Sequence, residues 1–300
     1  MKIFLADLTY TQQTLASDVV PAAVAGIAEY LLRDCRSYDL EVKIFKYPET
    51  LLDELEVGFP DIIGFSNYIW NSSLSFEFAR LIKAHSDNVI TVMGGPNFPT
   101  ERVEQKAFLT ENRGIDYYIV KEAEKAFAEL VKYIIKYDKA DENIVEKVPN
   151  LVFLDELGTL RESTKIERIM DLSLIPSPYL SGRLDEFLDG KLVPVIQTNR
   201  GCPFTCTFCT EGQSYWTKVK KKPAKLVADE IAYIAEAMNQ LPAKAARKDL
   251  LISDSNFGMF PEDLETANVI HDQQEKYSYP SYINVATGKI KKNVFWKSPK

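Results

Sequence analysis

The stretch PDIIGFSNYIWNSSLSFEFARLIKAHS (residues 60–86) decides the fold class of the N-terminal half. Its apolar run DIIGFSN (61–67) is bounded by a proline and by polar residues, which is typical of a strand buried on both faces of a sheet. The segment SLSFEFARLIKAHS (73–86) then places its apolar residues at helical spacing. A buried strand followed by an amphipathic helix predicts one unit of a parallel α/β sheet.

The same alternation continues on both sides of this stretch. Apolar runs predict strands at KIFLADL (2–8), EVKIFKY (41–47), NVITVMGG (88–95) and DYYIV (116–120). Helical patterns lie between and after them, at 19–34, 51–57, 101–110 and 122–137. Residues 1–138 are therefore predicted to form a doubly wound parallel sheet of the Rossmann or flavodoxin-like kind.

A connecting region is predicted from 139 to 191, with a hairpin at NLVFLDELGTLRE (150–162) and an extended arm where Pro176 and Pro178 discourage a helix. From residue 192 strands and helices alternate again, with strands at LVPVIQTNR (192–200), DLLISDSN (249–256) and SYINVATGK (281–289). A closed barrel of eight units takes about 250 residues. Residues 192–300 are therefore predicted to form the N-terminal part of a (β/α) barrel, and the chain is expected to be a fragment or to be completed by a partner.

Composition excludes several classes of protein. The chain has 46% hydrophobic and 26% charged residues, which is typical of a folded globular protein. No run of about 18 apolar residues is present, and the N-terminus lacks the apolar core of a signal peptide, so a cytoplasmic protein without a membrane partner is predicted. The net charge of −7 and the brevity of the basic run KVKKKPAK (218–225) argue against nucleic acid as a partner.

The loop QTNRGCPFTCTFCTEG (197–212) holds Cys202, Cys206 and Cys209 at the spacing Cys-x3-Cys-x2-Cys. Thiolates are soft ligands that suit zinc or iron–sulfur clusters. Structural zinc normally takes four ligands, and the only histidines, His85 and His271, are distant in sequence. Three thiolates on a four-iron cluster leave one iron open for another ligand, so an iron–sulfur cluster is favoured.

A second candidate site follows from the predicted sheet. Ligands of doubly wound sheets bind outside the carboxyl ends of the strands. The loops SNYIWNSS (66–73), GGPNFP (94–99) and KEAE (121–124) lie at such ends and combine small polar groups, glycines and aromatic rings. The candidate residues are Ser66, Asn67, Tyr68, Gly94, Gly95, Pro96, Asn97 and Glu122.

The cysteine spacing, together with Phe208 directly before the third cysteine, resembles the signature of the radical S-adenosylmethionine (SAM) superfamily. The resemblance implies that Cys202, Cys206 and Cys209 hold a 4Fe-4S cluster whose open iron binds SAM. Reductive cleavage of SAM would then yield a 5'-deoxyadenosyl radical. It also implies that Phe208 lies near the adenine. The segment DSNF (254–257) stands where the family usually has a loop that contains glycine and glutamate, and it departs from that form. Contacts of Asp254, Ser255 and Asn256 with SAM are expected from their position in the chain.

The N-terminal half is similar to the cobalamin-binding domain of one large subfamily, through PDIIGFSNYIWN, VITVMGGPNFP and DYYIVKEAEKAFAEL. The resemblance implies that the eight strand-end residues listed above contact cobalamin. The loop DLTYTQQ (7–13) has no histidine to bind cobalt from below. The implied function is that of a cobalamin-dependent radical SAM enzyme, with methyl transfer to an unactivated carbon as one reaction. A small-molecule or saccharide substrate and a reductant such as flavodoxin or ferredoxin are the expected partners.

Two alternatives remain at this point. One is a radical SAM enzyme without cobalamin that catalyses an epimerisation, a rearrangement or an oxidation. The other is a non-catalytic fragment that binds an iron–sulfur cluster or a corrinoid. The sequence assigns no individual catalytic side chain in any of these cases.

Overall fold

The computed structural model describes residues 1–12, 15, 17–137, 143–242 and 247–287. Within them the chain forms two compact units, residues 1–17 with 23–169 and residues 18–22 with 170 onward. The end of the predicted barrel segment, residues 288–300, lies outside the described residues. No helix in the described ranges has the length and apolar character needed to cross a bilayer.

The first unit is built on a parallel sheet. Its strands are β1 (Lys2–Ala6), β2 (Glu41–Phe45), β3 (Ile62–Ser66), β4 (Ile90–Gly94) and β5 (Tyr117–Ile119). They pair in the order β2-β1-β3-β4-β5, and every neighbouring pair is parallel. This is the flavodoxin-like order, with its switch point between β1 and β3. The predicted doubly wound sheet is confirmed.

Helices connect these strands and cover the sheet. They are α1 (Ala22–Asp34), α2 (Pro48–Val57), α3 (Ser72–His85), α4 (Arg102–Glu111) and α5 (Glu124–Tyr137). All five residues of β3 are buried, which requires cover on both faces of the central strand. The continuous apolar run of β3 is the sequence consequence of that double burial.

The predicted hairpin belongs to the first unit and is not part of a linker. After the short helix α6 (Ile144–Lys147), strands β6 (Leu151–Leu154) and β7 (Leu160–Glu162) continue the sheet beyond β5. Both pairings are antiparallel, and Tyr118 of β5 faces Val152 of β6. Because the hairpin is hydrogen-bonded to β5, the first unit ends at Ile169 and not at residue 138 as predicted.

The second unit contains three parallel strands in consecutive order. After β8 (Val195–Ile196) come a short antiparallel pair, β9 (Asn199–Arg200) with β10 (Lys220–Lys221), and helix α7 (Ala224–Gln240). Strand β11 (Asp249–Phe257), helix α8 (Pro261–Tyr277) and β12 (Tyr282–Thr287) follow. The sheet order is β12-β11-β8. Each of these three parallel strands thus pairs with the next of the three along the chain, as in a (β/α) barrel. The predicted partial barrel is confirmed over the described residues.

The segment LVPVIQTNR was predicted as one strand, but it forms two. Strand β8 ends at Ile196, and β9 begins at Asn199 with a different partner. The backbone N–H groups of Thr198 and Asn199 donate to the Asp254 carboxylate instead of continuing the ladder with β11. A buried side chain thus ends the strand where the sequence pattern alone gives no stop signal.

The proline-punctuated arm is part of the second unit. The buried Tyr179 hydroxyl donates to the carbonyl oxygen of Val195 at 2.6 Å and accepts from the Val195 N–H at 3.1 Å. One side chain of the arm therefore satisfies both backbone groups of a residue in β8. Burial raises the pKa of Tyr179, so this hydroxyl keeps its proton and continues to donate.

The central strand provides a test of the fold. Ile63 of β3 is 0% exposed, so Ile63→Ala is expected to lower the free energy of unfolding by about 2–5 kcal/mol through lost burial and a cavity. Ile69 is 82% exposed, and Ile69→Ala is expected to change the free energy of unfolding by no more than about 0.5 kcal/mol. Urea unfolding of both variants measures the difference. Equal effects would contradict the placement of β3 at the centre of the sheet.

Candidate functional site

A charged and polar cluster lies at the switch point of the first unit. The Asp7 carboxylate, directly after β1, accepts from Lys46 Nζ at 3.0 Å and from Ser66 Oγ at 2.5 Å. Asn71 Nδ2 donates to the same carboxylate at 3.3 Å and to Ser66 Oγ at 2.8 Å. Lys46 is fully buried, so its charge depends on this carboxylate for compensation. The cluster fixes the ends of three adjacent strands.

A second network joins the loops after β3 and β4. Asn67 is fully buried, and its Nδ2 donates to the carbonyl oxygen of Asn97 at 2.7 Å and to the Tyr118 hydroxyl at 3.1 Å. The Tyr118 hydroxyl in turn donates to the carbonyl oxygen of Gly95 at 2.8 Å. The backbone N–H of Asn67 donates to the carbonyl oxygen of Gly94 at 2.6 Å. These bonds hold two predicted ligand loops in fixed positions.

Gly95 allows the two loops to approach each other. Its φ is +129°, and a Cβ at this position would lie 2.5 Å from the Asn67 carbonyl oxygen. Both facts exclude a larger residue without movement of the backbone. The neighbouring Pro96 is exposed at the rim of the loop.

Aromatic rings lie beside these polar groups. The rings of Tyr68 and Trp70 stack with centroids 4.6 Å apart and planes inclined by 6°. Trp70 and Ile69 are exposed. Phe98 stacks on Tyr118 at 3.9 Å, below the loop surface. The edge thus combines an exposed flat apolar surface with rigidly held polar groups, a combination suited to a large planar ligand that has polar substituents.

Glu122 is bonded to other residues of the first unit. Its buried carboxylate accepts from the Ile169 N–H at 2.7 Å and forms an ion pair with Arg168 Nε at 3.3 Å. Asn150 Nδ2 donates to the Glu122 carbonyl oxygen at 2.9 Å. Glu122 therefore anchors the segment that follows the hairpin, and its predicted ligand contact stays a prediction.

The one histidine of the first unit does not lie at the carboxyl edge of its sheet. His85 is the last residue of α3, which runs from the carboxyl end of β3 to the amino end of β4, and its Nδ1 lies 2.8 Å from the Leu81 carbonyl oxygen. His271 lies in α8 of the second unit. Thr9, two residues after Asp7, is buried, and its Oγ1 accepts from the Ser17 N–H at 2.9 Å.

In the second unit the three clustered cysteines lie on one loop after β8. All three are thiols outside any disulfide; Cys202 is buried, Cys206 is half-buried and Cys209 is exposed. The Cys202 N–H donates to the Trp216 carbonyl oxygen at 3.0 Å and closes the loop at its base. Among the described residues no three Cys, His, Asp or Glu side chains form a group able to hold a metal ion. The role of the three thiols as cluster ligands stays a prediction.

The far side of the loop is tightly folded. The Cys209 N–H donates to the Cys206 carbonyl oxygen at 3.2 Å, and the Gly212 N–H donates to the Cys209 carbonyl oxygen at 2.9 Å. A Cβ on Gly212 would lie 2.2 Å from the Cys206 carbonyl oxygen, so only glycine fits this turn. Phe208 is 86% exposed between the second and third cysteines.

Asp254 of β11 holds the base of the cysteine loop. Its buried carboxylate accepts from the backbone N–H groups of Thr198 and Asn199 at 2.8 and 3.3 Å. It also accepts from the Thr198 hydroxyl and from Asn199 Nδ2, the latter at 2.8 Å. Burial raises the pKa of Asp254 to about 6 because loss of hydration outweighs these hydrogen bonds. The side chain predicted to contact SAM thus positions the start of the loop.

The next two residues of β11 also contact the loop. The Ser255 hydroxyl donates to the Glu211 carboxylate on the far side of the loop. Asn256 Nδ2 lies 3.1 Å from Cys202 Sγ. The Asn256 Oδ1 atom is buried and has no hydrogen-bond partner among the described residues. Of the three predicted residues on β11, Asn256 alone combines a contact to a cysteine with an unused buried acceptor.

Several residues of these sites were not predicted from the sequence. Asp7 and Asn71 carried a usable signal, since each is a polar residue within a strand-end loop. Lys46 and Tyr118 carried none, because a lysine after a strand or a tyrosine within one is usually a surface or core residue. Thr198 was not predicted because the segment that contains it was predicted to be one continuous strand.

Comparisons with known proteins found one matching family model and several similar proteins. Residues 9–131 match the family described as the B12 binding domain. The 2-(S-pantetheinyl)-carbapenam-3-carboxylate methyltransferase of Streptantibioticus cattleyicolor is 29% identical over 280 residues, covering 87% of this chain and 38% of that protein. The cobalamin-dependent radical SAM methyltransferase TokK of Streptomyces tokunonensis has the same identity and coverage.

A solved structure has the same fold. The cobalamin-dependent SAM radical enzyme OxsB, with aqua-cobalamin and SAM bound, aligns with a TM-score of 0.66 and 21% identity. The alignment covers 91% of this chain and 36% of OxsB. The chain thus spans well under half the length of these relatives.

Gly95 gives a test of the first site. Gly95→Ala is expected to lower the free energy of unfolding by about 2–4 kcal/mol, because it adds overpacking against Asn67 to the cost of a positive φ. Gly158 has φ +70° and nothing within 4 Å of its Cβ position, so Gly158→Ala is the matched control. It is expected to lower the free energy of unfolding by about 1–2 kcal/mol, the cost of the positive φ alone. Urea unfolding compares the two. An equal loss would show that the contact with Asn67 is loose.

Asp254 gives a pH-dependent test of the second site. Its folded pKa of about 6 lies above the ordinary value, so the folded state favours the protonated form and the resulting stability is lost as pH rises through 6. The unfolding free energy of the wild type, relative to Asp254→Asn, is expected to fall by about 1–2 kcal/mol between pH 5 and pH 8. Urea titrations at both pH values measure it. A difference that stays constant or grows with pH would contradict the burial of this carboxyl.

Proposed function

We propose that the chain belongs to the radical SAM family whose members carry a cobalamin-binding domain, and that it is the cofactor-binding part of a cobalamin-dependent radical SAM methyltransferase. The observation that carries the proposal is the presence of both sites in one chain. A flavodoxin-order sheet with rigid ligand loops is followed by a three-thiol loop after the first of three parallel strands. Relatives named as methyltransferases match across 87% of the chain, through both regions.

The cysteine loop supplies the kind and number of donor atoms that an iron–sulfur cluster with an open iron would need. It offers three thiols outside any disulfide, which are soft donors, and the fourth cysteine of the chain, Cys35, is buried in the first unit. Burial raises the pKa of Cys35 to about 11, so this thiol stays protonated and packs as an apolar group. Cys202, Cys206 and Cys209 would hold the cluster, and SAM would take the open position.

The unused acceptor on β11 fits a bound SAM molecule. Asn256 Oδ1 is a buried oxygen without a partner among the described residues, which costs free energy unless a donor arrives. The amino group of SAM is a donor of the required kind. Ser255 and the exposed Phe208 would add a polar contact and a flat apolar surface, while Asp254 positions the loop that carries the thiols.

The first site fits cobalamin held at the carboxyl edge of the sheet. Asn67, Asn97 and the backbone around Gly95 form a rigid polar rim, and the stacked pair of Tyr68 and Trp70 offers a flat apolar surface. Ser66 is held by Asp7 beside this rim. The one histidine of the first unit, His85, ends α3 away from this edge, so the first unit would supply no imidazole to a cobalamin bound there.

The bound cofactors would supply the chemistry: the cluster would donate an electron that cleaves SAM, and cobalamin would provide a methyl group for a carbon that has no acidic proton. The chain's own part is to hold the three thiols, to orient SAM through β11 and to fix the edge loops of the first sheet. A small organic molecule is the proposed substrate class, in keeping with the carbapenam named for one relative. A flavodoxin or ferredoxin is the proposed reductant.

Anaerobic reconstitution tests the proposal. The wild-type chain, incubated with iron, sulfide and hydroxocobalamin and then desalted, is expected to retain cobalamin and about four iron and four sulfide atoms per chain. Addition of SAM and dithionite is then expected to yield 5'-deoxyadenosine and methionine, measured by mass spectrometry. Replacing Cys202, Cys206 and Cys209 with alanine is expected to abolish iron binding and SAM cleavage while cobalamin stays bound.

Cys35→Ala is the matched control because it removes the one remaining thiol without touching the loop. It is expected to retain iron and SAM cleavage. A folded wild type that binds no iron would overturn the radical SAM assignment. Iron binding and SAM cleavage without any spectral change on cobalamin titration would favour a radical enzyme that does not use cobalamin.

A further inference from the structure

We propose that Asn256 is a positioning residue for the iron–sulfur cluster: its side-chain N–H bonds to the sulfur of Cys202 and raises the reduction potential of the cluster. The inference rests on the proposed function, because it takes Cys202 as a cluster ligand. It adds a residue that acts on the cluster through a ligand. The motif of three cysteines does not reveal it.

The contact is close and excluded from water. Asn256 Nδ2 lies 3.1 Å from Cys202 Sγ, and the two residues are 5% and 7% exposed. The other two thiols are more accessible, since Cys206 is half-buried and Cys209 is exposed. Water competes poorly for Cys202 Sγ, so a protein donor has its largest effect on this one of the three sulfurs.

The orientation of the Asn256 amide follows from the chemistry of a ligating thiolate. A metal-bound thiolate sulfur accepts hydrogen bonds and has no proton to donate. If the amide were turned by 180°, Oδ1 would face this sulfur, and two acceptors would meet in a buried site. The N–H orientation is therefore the one compatible with Cys202 as a cluster ligand.

Neighbouring contacts hold Asn256 in place. Two residues earlier, Asp254 is bonded to Thr198 and Asn199 at the entrance of the loop. One residue earlier, Ser255 donates to Glu211 near its exit. Strand β11 is thus fixed to both ends of the cysteine loop, so Asn256 cannot move away from Cys202 without breaking these bonds.

A hydrogen bond to a ligating sulfur draws electron density away from the iron and favours the reduced cluster. Its loss therefore makes the cluster harder to reduce. A residue that only filled space would leave the potential unchanged when replaced by an apolar side chain of similar size. The midpoint potential is therefore the readout that separates the two roles.

The test compares Asn256→Leu with wild type after anaerobic cluster reconstitution of the full chain, in the absence of SAM. Leucine is close to asparagine in size, lacks the donor and also removes the unpaired Oδ1, so the protein is expected to fold. Iron and sulfide content is expected to match wild type. The midpoint potential, followed by electron paramagnetic resonance during a dithionite titration, is expected to shift to a more negative value.

Ser253→Ala is the matched control, because Ser253 lies on the same strand and donates to the Ile196 carbonyl oxygen at 3.2 Å. The midpoint potential of the cluster in Ser253→Ala is expected to equal that in the wild type. If Asn256→Leu does not fold, Asn256→Ala serves as the second donor-free variant with the same expected shift. An unchanged potential in a donor-free variant that retains its cluster would overturn this inference alone. A wild-type chain without any cluster would overturn the proposed function and this inference together.

Discussion

The end of a parallel strand is a costly place for a protein backbone, because N–H and C=O groups lose their ladder partners where the loops begin. Both units meet this constraint with buried polar side chains. In the first, Asn67 and Tyr118 bond to the loop after β4. In the second, Asp254 takes the N–H groups of Thr198 and Asn199. The same side chains that satisfy the backbone also fix the loops that carry the candidate ligands.

This arrangement explains why the two sites differ in character. The edge of the first sheet is rigid, and its glycine backbone and stacked rings suit a large preformed ligand. The cysteine loop is held at its base and exit, while Cys206 is half-buried and Cys209 is exposed. Rigid support beneath a partly open loop is what a site needs if its thiols are to receive a metal cluster after folding.

Sequence patterns predicted most of the fold because its strands are buried and its helices amphipathic. The run DIIGFSN identified a strand buried on both faces, and the parallel sheet followed from the alternation around it, while the order β2-β1-β3-β4-β5 was decided by the structure. Two elements escaped this logic. LVPVIQTNR is apolar enough for one strand, yet a carboxylate distant in sequence divides it at Thr198. The hairpin β6–β7 was assigned to a linker, since nothing local indicates that its edge pairs with β5.

The sequence by itself determined which chemistry is available: three closely spaced thiols without a fourth nearby, and polar and glycine residues at the ends of buried strands. Only the tertiary structure decided which side chains act on them. Asn256 reaches Cys202 across 54 residues of chain, and Asp254 reaches Thr198 across 56. Such contacts depend on which strands lie side by side and on where each one ends. Local patterns of hydrophobicity and spacing carry neither piece of information, because both are set by pairing between distant segments.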